Sequence, residues 1–171
     1  MELQVAILTI SDRSSRGERD DLSGPALVER VREEGWEVGQ VDIVPDDLLT
    51  IQETLAGWAD SGKFGVILTT GGTGFTPRDI TPEATKAIIE RVAPGMAEAM
   101  RAESLKITPH AMLSRAVAGI RKQTVIINLP GSPRAALENL EIVLPVLPHA
   151  VQLLANDARA EAGHRMDVVE K

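Results

Sequence analysis

The run Thr69-Thr70-Gly71-Gly72-Thr73-Gly74-Phe75-Thr76-Pro77-Arg78-Asp79-Ile80-Thr81-Pro82 offers the clearest chemistry in the chain. Three glycines within four residues leave backbone with no Cβ to keep a ligand at a distance. Successive bare N–H groups in such a turn can form an anion-binding nest. The segment runs out to Thr81-Pro82, where a capping threonine and a proline at the first helical position signal a new helix. A second anion site is offered by Pro130-Gly131-Ser132-Pro133, with Ser132 as N-cap, because helix N-termini favour negative charge. An ordinary capped helix start explains that stretch equally well. Ser11, Asp12 and Arg13 follow the first strand and edge the same region, and Arg78 is expected to pair with its neighbour Asp79.

Known nucleotide fingerprints do not fit. From Gly72 the pattern G-x-G-x-x-G fails at Pro77, and no Lys-Ser/Thr follows the last glycine as a Walker A loop requires. That weakens a flavin or nicotinamide reading, and no G-x-S-x-G elbow is present for acyl transfer. From residue types alone, the turn is either a ligand cradle or a structural device. Likewise Asp46 is either a helix cap or a functional acid, and Asp79 either a solvated turn residue or a functional one.

The elements that position these residues alternate between strand and helix. Residues 3–10 are almost continuously apolar, as a strand covered on both faces would be. A polar loop over 11–21 follows, then a helix capped by Ser23, carrying Leu27, Val28 and Val31 and closed by Gly35. Residues 37–44 read as a strand. Leu48, Ile51, Leu55 and Trp58 recur at helical spacing as core residues, with Asp46 or Asp47 placed to cap. A third strand spans 64–68. Helices are predicted over 82–92, 96–105 and 113–120, and a strand over 124–129. The last helices are interrupted by Pro145 and Pro148. This order predicts a single α/β domain over 1–156, a three-layer α/β/α sandwich with a mostly parallel central sheet, and a polar tail over 157–171. In such sheets ligands bind beyond the carboxyl ends of the strands. Those ends carry the 11–21 loop, Pro45-Asp46-Asp47, the glycine turn and Pro130-Gly131-Ser132-Pro133.

Composition narrows the function. A length of 171 residues fits one domain, and the absence of cysteine removes disulfides, thiol nucleophiles and thiolate metal sites. A net charge of -7 and scarce aromatics argue against a nucleic-acid surface. No apolar stretch approaches the roughly 20 residues of a membrane span. The start lacks signal-peptide character, so a soluble, cytoplasmic protein is expected. His110, His149 and His164 have no metal-ligand spacing.

Several blocks together resemble the Mog/MoaB family of molybdenum-cofactor biosynthesis, to which the gephyrin G domain belongs. They are Gly71-Gly72-Thr73-Gly74, Pro77-Arg78-Asp79-Ile80-Thr81-Pro82-Glu83-Ala84-Thr85, Glu103-Ser104-Leu105-Lys106-Ile107-Thr108-Pro109, Leu113-Ser114-Arg115-Ala116-Val117-Ala118-Gly119-Ile120-Arg121 and Asn128-Leu129-Pro130-Gly131-Ser132-Pro133. The resemblance implies a molybdopterin adenylyltransferase, which moves AMP from ATP to the terminal phosphate of molybdopterin and releases pyrophosphate, with Mg²⁺. It implies Asp46 and Asp79 as the catalytic acids that place the metal and the reacting phosphates. It also implies Thr70, Gly71, Gly72, Thr73 and Gly74 around the nucleotide phosphates, and Ser11 and Asp12 at the pocket edge. Ser114 and Arg115 fall on the pterin side, with Arg115 offered to a phosphate, and Pro130, Gly131, Ser132 and Pro133 form a further wall. A homotrimer and a molybdenum insertion enzyme as partner come with the same likeness. A non-catalytic molybdopterin-binding or scaffold protein is the alternative, since some relatives have no established activity.

Overall fold

A computed structural model describes residues 3–155, so the polar tail over 157–171 and His164 lie outside the described residues. Six strands form one sheet: β1 (Gln4–Ile10), β2 (Glu37–Val44), β3 (Val66–Thr70), β4 (Arg91–Val92), β5 (Ala118–Arg121) and β6 (Thr124–Leu129). Their spatial order is β2-β1-β3-β6-β5-β4. Strands β2, β1, β3 and β6 are mutually parallel, whereas β5 runs antiparallel to β6 and β4 antiparallel to β5. The sheet is therefore mostly parallel, as the alternating elements predict.

The central strands are apolar on both faces because helices cover both. Val5 and Ile7 of β1, Val66 and Leu68 of β3, and Val125 and Ile127 of β6 join one cluster. The first helix, α1 (Asp12–Ser15), is a single turn after β1; the cluster includes Leu27 and Val31 of α2 (Ser23–Glu33), Met100 of α5 (Pro94–Leu105), Leu140 of α6 (Pro133–Val143) and Leu147 of α7 (Leu147–Leu154). The alternate residues Ala6, Leu8, Ile67 and Ile126 pack with Ile51 and Leu55 of α3 (Leu48–Asp60) and Ala84 of α4 (Thr81–Ile88). Each fully buried Leu or Ile contributes about 1.5–3 kcal/mol relative to exposure. The two sets on opposite faces therefore clamp β1, β3 and β6 as a rigid platform. Leu48 departs from the expected core: at the first turn of α3 it is 40% exposed, and Ile51, Leu55 and partly buried Trp58 make the contact.

Tertiary pairing overrides local pattern in one region. The predicted helix over 113–120 is instead a 3₁₀ turn, Pro109–Leu113, followed by extended chain and β5. Ala118 pairs with Ile127 across the open side of β6, and Asn128 Oδ1 accepts the Val117 N–H at 3.3 Å. The predicted helix over 82–92 likewise stops at Ile88. Glu90 N–H donates to Ile120 O at 2.8 Å and Ala93 N–H to Ala118 O at 2.9 Å, which draws the chain into β4. The α5 helix starts at Pro94, two residues earlier than its apolar pattern indicates. Among the described residues, no helix is long and apolar enough to cross a membrane.

Because β1 connects outward to β2 on one side and β3 lies on its other side, the strand order reverses between β1 and β3. Ligands of open α/β sheets bind at such a point. The two loops leaving that point are the one after Ile10 and the one after Thr70.

Candidate functional site

Beyond β3 the chain turns sharply. Gly71 (φ 103°) and Gly72 (φ 65°) both occupy the region that favours glycine. Space forbids side chains there as well. A Cβ on Gly71 would run into the Ile10 carbonyl, and one on Gly72 into Thr81 Oγ1, with Asp46 Oδ1 only 3.1 Å away. The turn is tied down from both sides. Gly71 N–H donates to Leu129 O at 3.1 Å, Thr81 N–H to Gly72 O at 3.1 Å, and Thr81 Oγ1 to Gly71 O at 2.9 Å. Thr81 is thus the first residue of α4 and anchors the turn, while Ile80 takes the cap position that the sequence pattern gives to Thr81. Thr70 Oγ1 donates to Pro130 O at 2.7 Å, which joins this rim to the one after β6.

A cavity of about 540 Å³ opens over this rim. Ser11, Asp12, Asp46, Thr70, Gly71, Gly72, Asp79, Gly131, Ser132 and Pro133, all predicted from sequence, line it together. Ser132 caps α6 as expected, accepting the Ala135 N–H. The 11–21 loop supplies residues the sequence reading leaves unassigned: Arg16, Arg19 and Asp21 line the cavity beside Arg13. Their signal was the density of arginine in a polar loop at a strand's carboxyl end. Asp21 holds that loop in place, accepting from Thr9 Oγ1 at 2.7 Å and from the Gly24 N–H at 3.0 Å. It therefore caps the first turn of α2 in place of Ser23, which is the first helical residue and whose hydroxyl donates to Asp21 Oδ1 at 3.3 Å.

The acids of the cavity are arranged as a set. Asp47, not Asp46, caps α3 by accepting the Thr50 N–H at 2.9 Å, so Asp46 is not needed as a cap. Asp46 and Asp12 instead clasp each other through backbone: Asp12 N–H donates to Asp46 Oδ2 at 2.9 Å, and Asp46 N–H to Asp12 Oδ1 at 3.0 Å. Arg78 pairs with Asp12, at 2.8 and 2.9 Å, instead of with adjacent Asp79. A two-pronged guanidinium reaches across the cavity mouth to a carboxylate it can grip with both prongs. The Arg78 hydrogen bond holds the Asp12 carboxyl below its ordinary value against the opposing effect of burial. Burial pushes the Asp46 carboxyl up. The Asp12 N–H bond opposes this, and the negative charges of Asp12 and Asp79 add to it. Asp79 Oδ2 accepts the Thr76 N–H at 2.9 Å and rests 2.9 Å from where a Cβ on Gly74 would stand.

Five predicted residues lie elsewhere. Thr73, Gly74, Ser114 and Pro130 line a second, smaller cavity of about 270 Å³ on the other side of the turn, with Ile107, Ala111 and Leu113. Arg115 lines neither. Its guanidinium meets Gly74 O at 2.7 Å, Asp79 O at 2.6 Å and the Glu83 carboxylate. The phosphate contact offered by sequence therefore competes with three partners already in place. His110 is exposed, with Nδ1 3.3 Å from Thr108 Oγ1. Among the described residues, no three His, Asp or Glu side chains converge on one metal position.

The donor chemistry nevertheless fits a divalent cation that brings oxygen ligands with it. Asp46 is a carboxylate in a cradle only glycine leaves open, destabilised by two neighbouring acids that added positive charge would relieve. Mg²⁺ is commonly held by one or two carboxylates plus substrate phosphates.

Comparison with known proteins identifies the family. Residues 6–149 match the family described as "Probable molybdopterin binding domain". The chain is 48% identical over 160 residues to gephyrin of Dictyostelium discoideum; the match takes in 88% of this chain but 22% of that much longer protein. It is 42% identical over 171 residues to the molybdopterin adenylyltransferase of Helicobacter pylori strain J99, covering 99% of this chain and 93% of that one. Among solved structures, the molybdopterin biosynthesis enzyme MoaB of Thermus thermophilus superposes with a TM-score of 0.85 at 50% identity, over 91% of this chain and 98% of that one.

Proposed function

The chain belongs to the molybdopterin-binding domain family of molybdenum cofactor biosynthesis, and from that premise we propose that it is a molybdopterin adenylyltransferase. The observation that carries the proposal is the convergence of Asp46, Asp79 and the uncovered 71–72 backbone on one cavity. In the reaction, an oxygen of the terminal molybdopterin phosphate bonds to the α-phosphorus of ATP, and the bond to the β-phosphate breaks to release pyrophosphate. The attacking phosphate is already anionic at neutral pH, so no base is needed. The difficulty is electrostatic: several negative groups must meet.

Asp46 and Asp79 are the residues that would hold Mg²⁺. The ion, when bound, neutralises charge on the triphosphate oxygens. The Gly71 N–H is held by Leu129 O, so the Gly72 N–H is the donor that this turn offers to a phosphate oxygen. Ser132 and the first turn of α6 face the same cavity with a helix N-terminus that favours anions. Arg13 and Arg19 bring positive charge to the lining of the same cavity, while Arg16 is paired there with Glu18. The smaller cavity, bounded by Thr73, Ser114 and Pro130, is the place for the pterin. A cytoplasmic location, a homotrimer and hand-over to a molybdenum insertion enzyme complete the proposal and rest on the family likeness.

Purified protein incubated with ATP, Mg²⁺ and molybdopterin should yield pyrophosphate and adenylylated molybdopterin in equal amounts. Tight molybdopterin binding with no product above background would leave a carrier in place of an enzyme. Light scattering tests the trimer.

A further inference from the structure

Arg115 stands at the back of the glycine turn with every direction of its guanidinium engaged. Its Nε donates to Gly74 O at 2.7 Å and one terminal nitrogen to Asp79 O at 2.6 Å. The other terminal nitrogen meets Glu83 in the first turn of α4, and the Arg115 backbone N–H donates to Thr73 O at 2.9 Å. One planar group thereby gathers carbonyls from both ends of the loop that carries Asp79. We propose that Arg115 is a positioning residue for adenylyl transfer, fixing the 73–79 loop, and with it the Asp79 carboxylate, from behind. The inference rests on the reading of the larger cavity as an adenylyltransferase site.

The geometry explains how the effect travels. In a trans peptide the C=O and the following N–H point in opposite directions. Drawing the Thr73 and Gly74 carbonyls toward Arg115 therefore turns the Gly74 and Phe75 N–H groups away from it. Asp79 is coupled to the same unit twice: its carboxylate rests against Gly74 and accepts the Thr76 N–H, while its own N–H donates to Thr76 O at 2.9 Å. Loosening Gly74 thus displaces the acid. Glu83 completes the device by neutralising the half-buried guanidinium. Burial alone would push its carboxyl up, yet the bond and charge from Arg115 help hold it below the ordinary glutamate value. Lysine cannot replace the fork, because a single ammonium cannot span carbonyls five residues apart and a carboxylate in fixed planar directions.

The test compares wild type with Arg115→Ala and Arg115→Lys by amide hydrogen exchange without ligands, calorimetric binding of Mg·ATP, and steady-state kinetics. For Arg115→Ala we expect faster exchange confined to residues 73–80, with β1, β3 and α6 protected as before. Mg·ATP affinity should fall about 10-fold or more and kcat by about 10- to 100-fold, the range seen when groups orienting metal ligands are removed. Thr73 and Gly74 also line the smaller cavity, so any rise in KM for molybdopterin should come together with the faster loop exchange and the weaker Mg·ATP binding, never without them. Millimolar guanidinium should restore part of kcat in Arg115→Ala, and Arg115→Lys should remain impaired. A rise in molybdopterin KM with Mg·ATP affinity and loop exchange unchanged would overturn the proposal in favour of direct phosphate contact. Exchange quickened throughout the domain would overturn it in favour of a general folding role. If wild type itself made no adenylylated product, the functional reading would fall, while loop exchange and Mg·ATP binding would still decide the role of Arg115.

Discussion

The cavities on either side of the 71–74 turn share a wall and differ in material. The larger one sets Asp12, Asp46 and Asp79 against Arg13, Arg16, Arg19 and Arg78. The smaller one is faced by Ile107, Ala111, Leu113, Pro130 and Ala135, with Arg101 and Glu138 as its charged members. A charged, open cavity suits a hydrated triphosphate that brings its own counter-ion. A smaller, mostly apolar cavity suits a flat heterocycle that gains by leaving water. The partition between them is kept thin by glycine at 71, 72 and 74, where a Cβ would run into the Ile10 carbonyl, Thr81 Oγ1 and the Asp79 carboxylate. The difference teaches that affinity for the two substrates is separable by mutation, although the reaction needs both.

The largest effect should come from the charged side. Asp79→Ala is expected to lower kcat by about 10²- to 10³-fold, an electrostatic loss of roughly 3–4 kcal/mol in the transition state. Its structural cost is small, since the side chain accepts one exposed N–H from Thr76. Circular dichroism should show an unchanged fold, and molybdopterin KM should barely move. Full turnover with the normal Mg²⁺ requirement in this variant would remove the charged cavity from the chemistry.

Asp46→Asn sharpens the comparison by separating activity from stability. The Asp46 carboxyl lies above its ordinary value of 3.8, raised by burial and by the Asp12 and Asp79 charges. The folded chain therefore holds that proton more tightly than the unfolded chain does. Its contribution to stability is present at low pH and is lost as pH rises from 3.8 through the folded value. At pH 7 the wild type carries this acid ionised at a cost, so Asp46→Asn should melt no lower than wild type while losing activity by about 10-fold or more. Asp12 behaves oppositely: its folded value is lowered by Arg78, so its contribution is present above 3.8 and fades as pH falls through the lowered value. Melting temperatures of both aspartates' Asn variants between pH 3 and 7 check the signs. A marked drop for Asp46→Asn at neutral pH would make Asp46 a structural residue.

On the apolar side, Ala111→Phe should fill the smaller slot. We expect molybdopterin KM to rise by about 10-fold, corresponding to 1.4 kcal/mol, with Mg·ATP affinity unchanged. If ATP affinity falls with it, the cavities are one site and the partition has no functional meaning.

Much of this arrangement is legible in the sequence where chemistry is local. The apolar runs of β1, β3 and β6, the Gly71-Gly72 turn and the Ser132-Pro133 helix start are each dictated by residues within a few positions; all stand where their patterns put them except β3, which runs two residues later than 64–68 and ends at Thr70. Residues whose partners are distant were not legible. Arg78 lies beside Asp79 in sequence but grips Asp12, 66 positions away, because the strand order brings those loops together. Arg115 reads as a free cation until the fold delivers Gly74 and Glu83 to it. The β4 strand is only Arg91-Val92 and β5 begins with alanine and glycine, so it is the open edge of β6 that draws in β5, and β5 in turn that draws in β4. Asp46 and Asp47 are equivalent cap candidates by type; the observed difference is that Asp47 Oδ2 reaches the Thr50 N–H while Asp46 turns toward Asp12.

The smallest effect concerns the wall shared with α6. Ser132 both caps that helix and lines the charged cavity, and the two roles predict different outcomes for Ser132→Ala. Loss of the cap alone costs about 1 kcal/mol of stability. In a chain of this length that lowers the melting temperature by roughly 2–4 °C. The Ala135 N–H would lose its hydroxyl acceptor, but Ala135 lines the smaller cavity, so the charged cavity keeps its donors. We therefore expect KM for ATP to hold as stability drops. A several-fold rise in KM for ATP would instead mean that the hydroxyl itself touches the nucleotide, and would move Ser132 from the frame of the charged cavity to its ligand-binding surface.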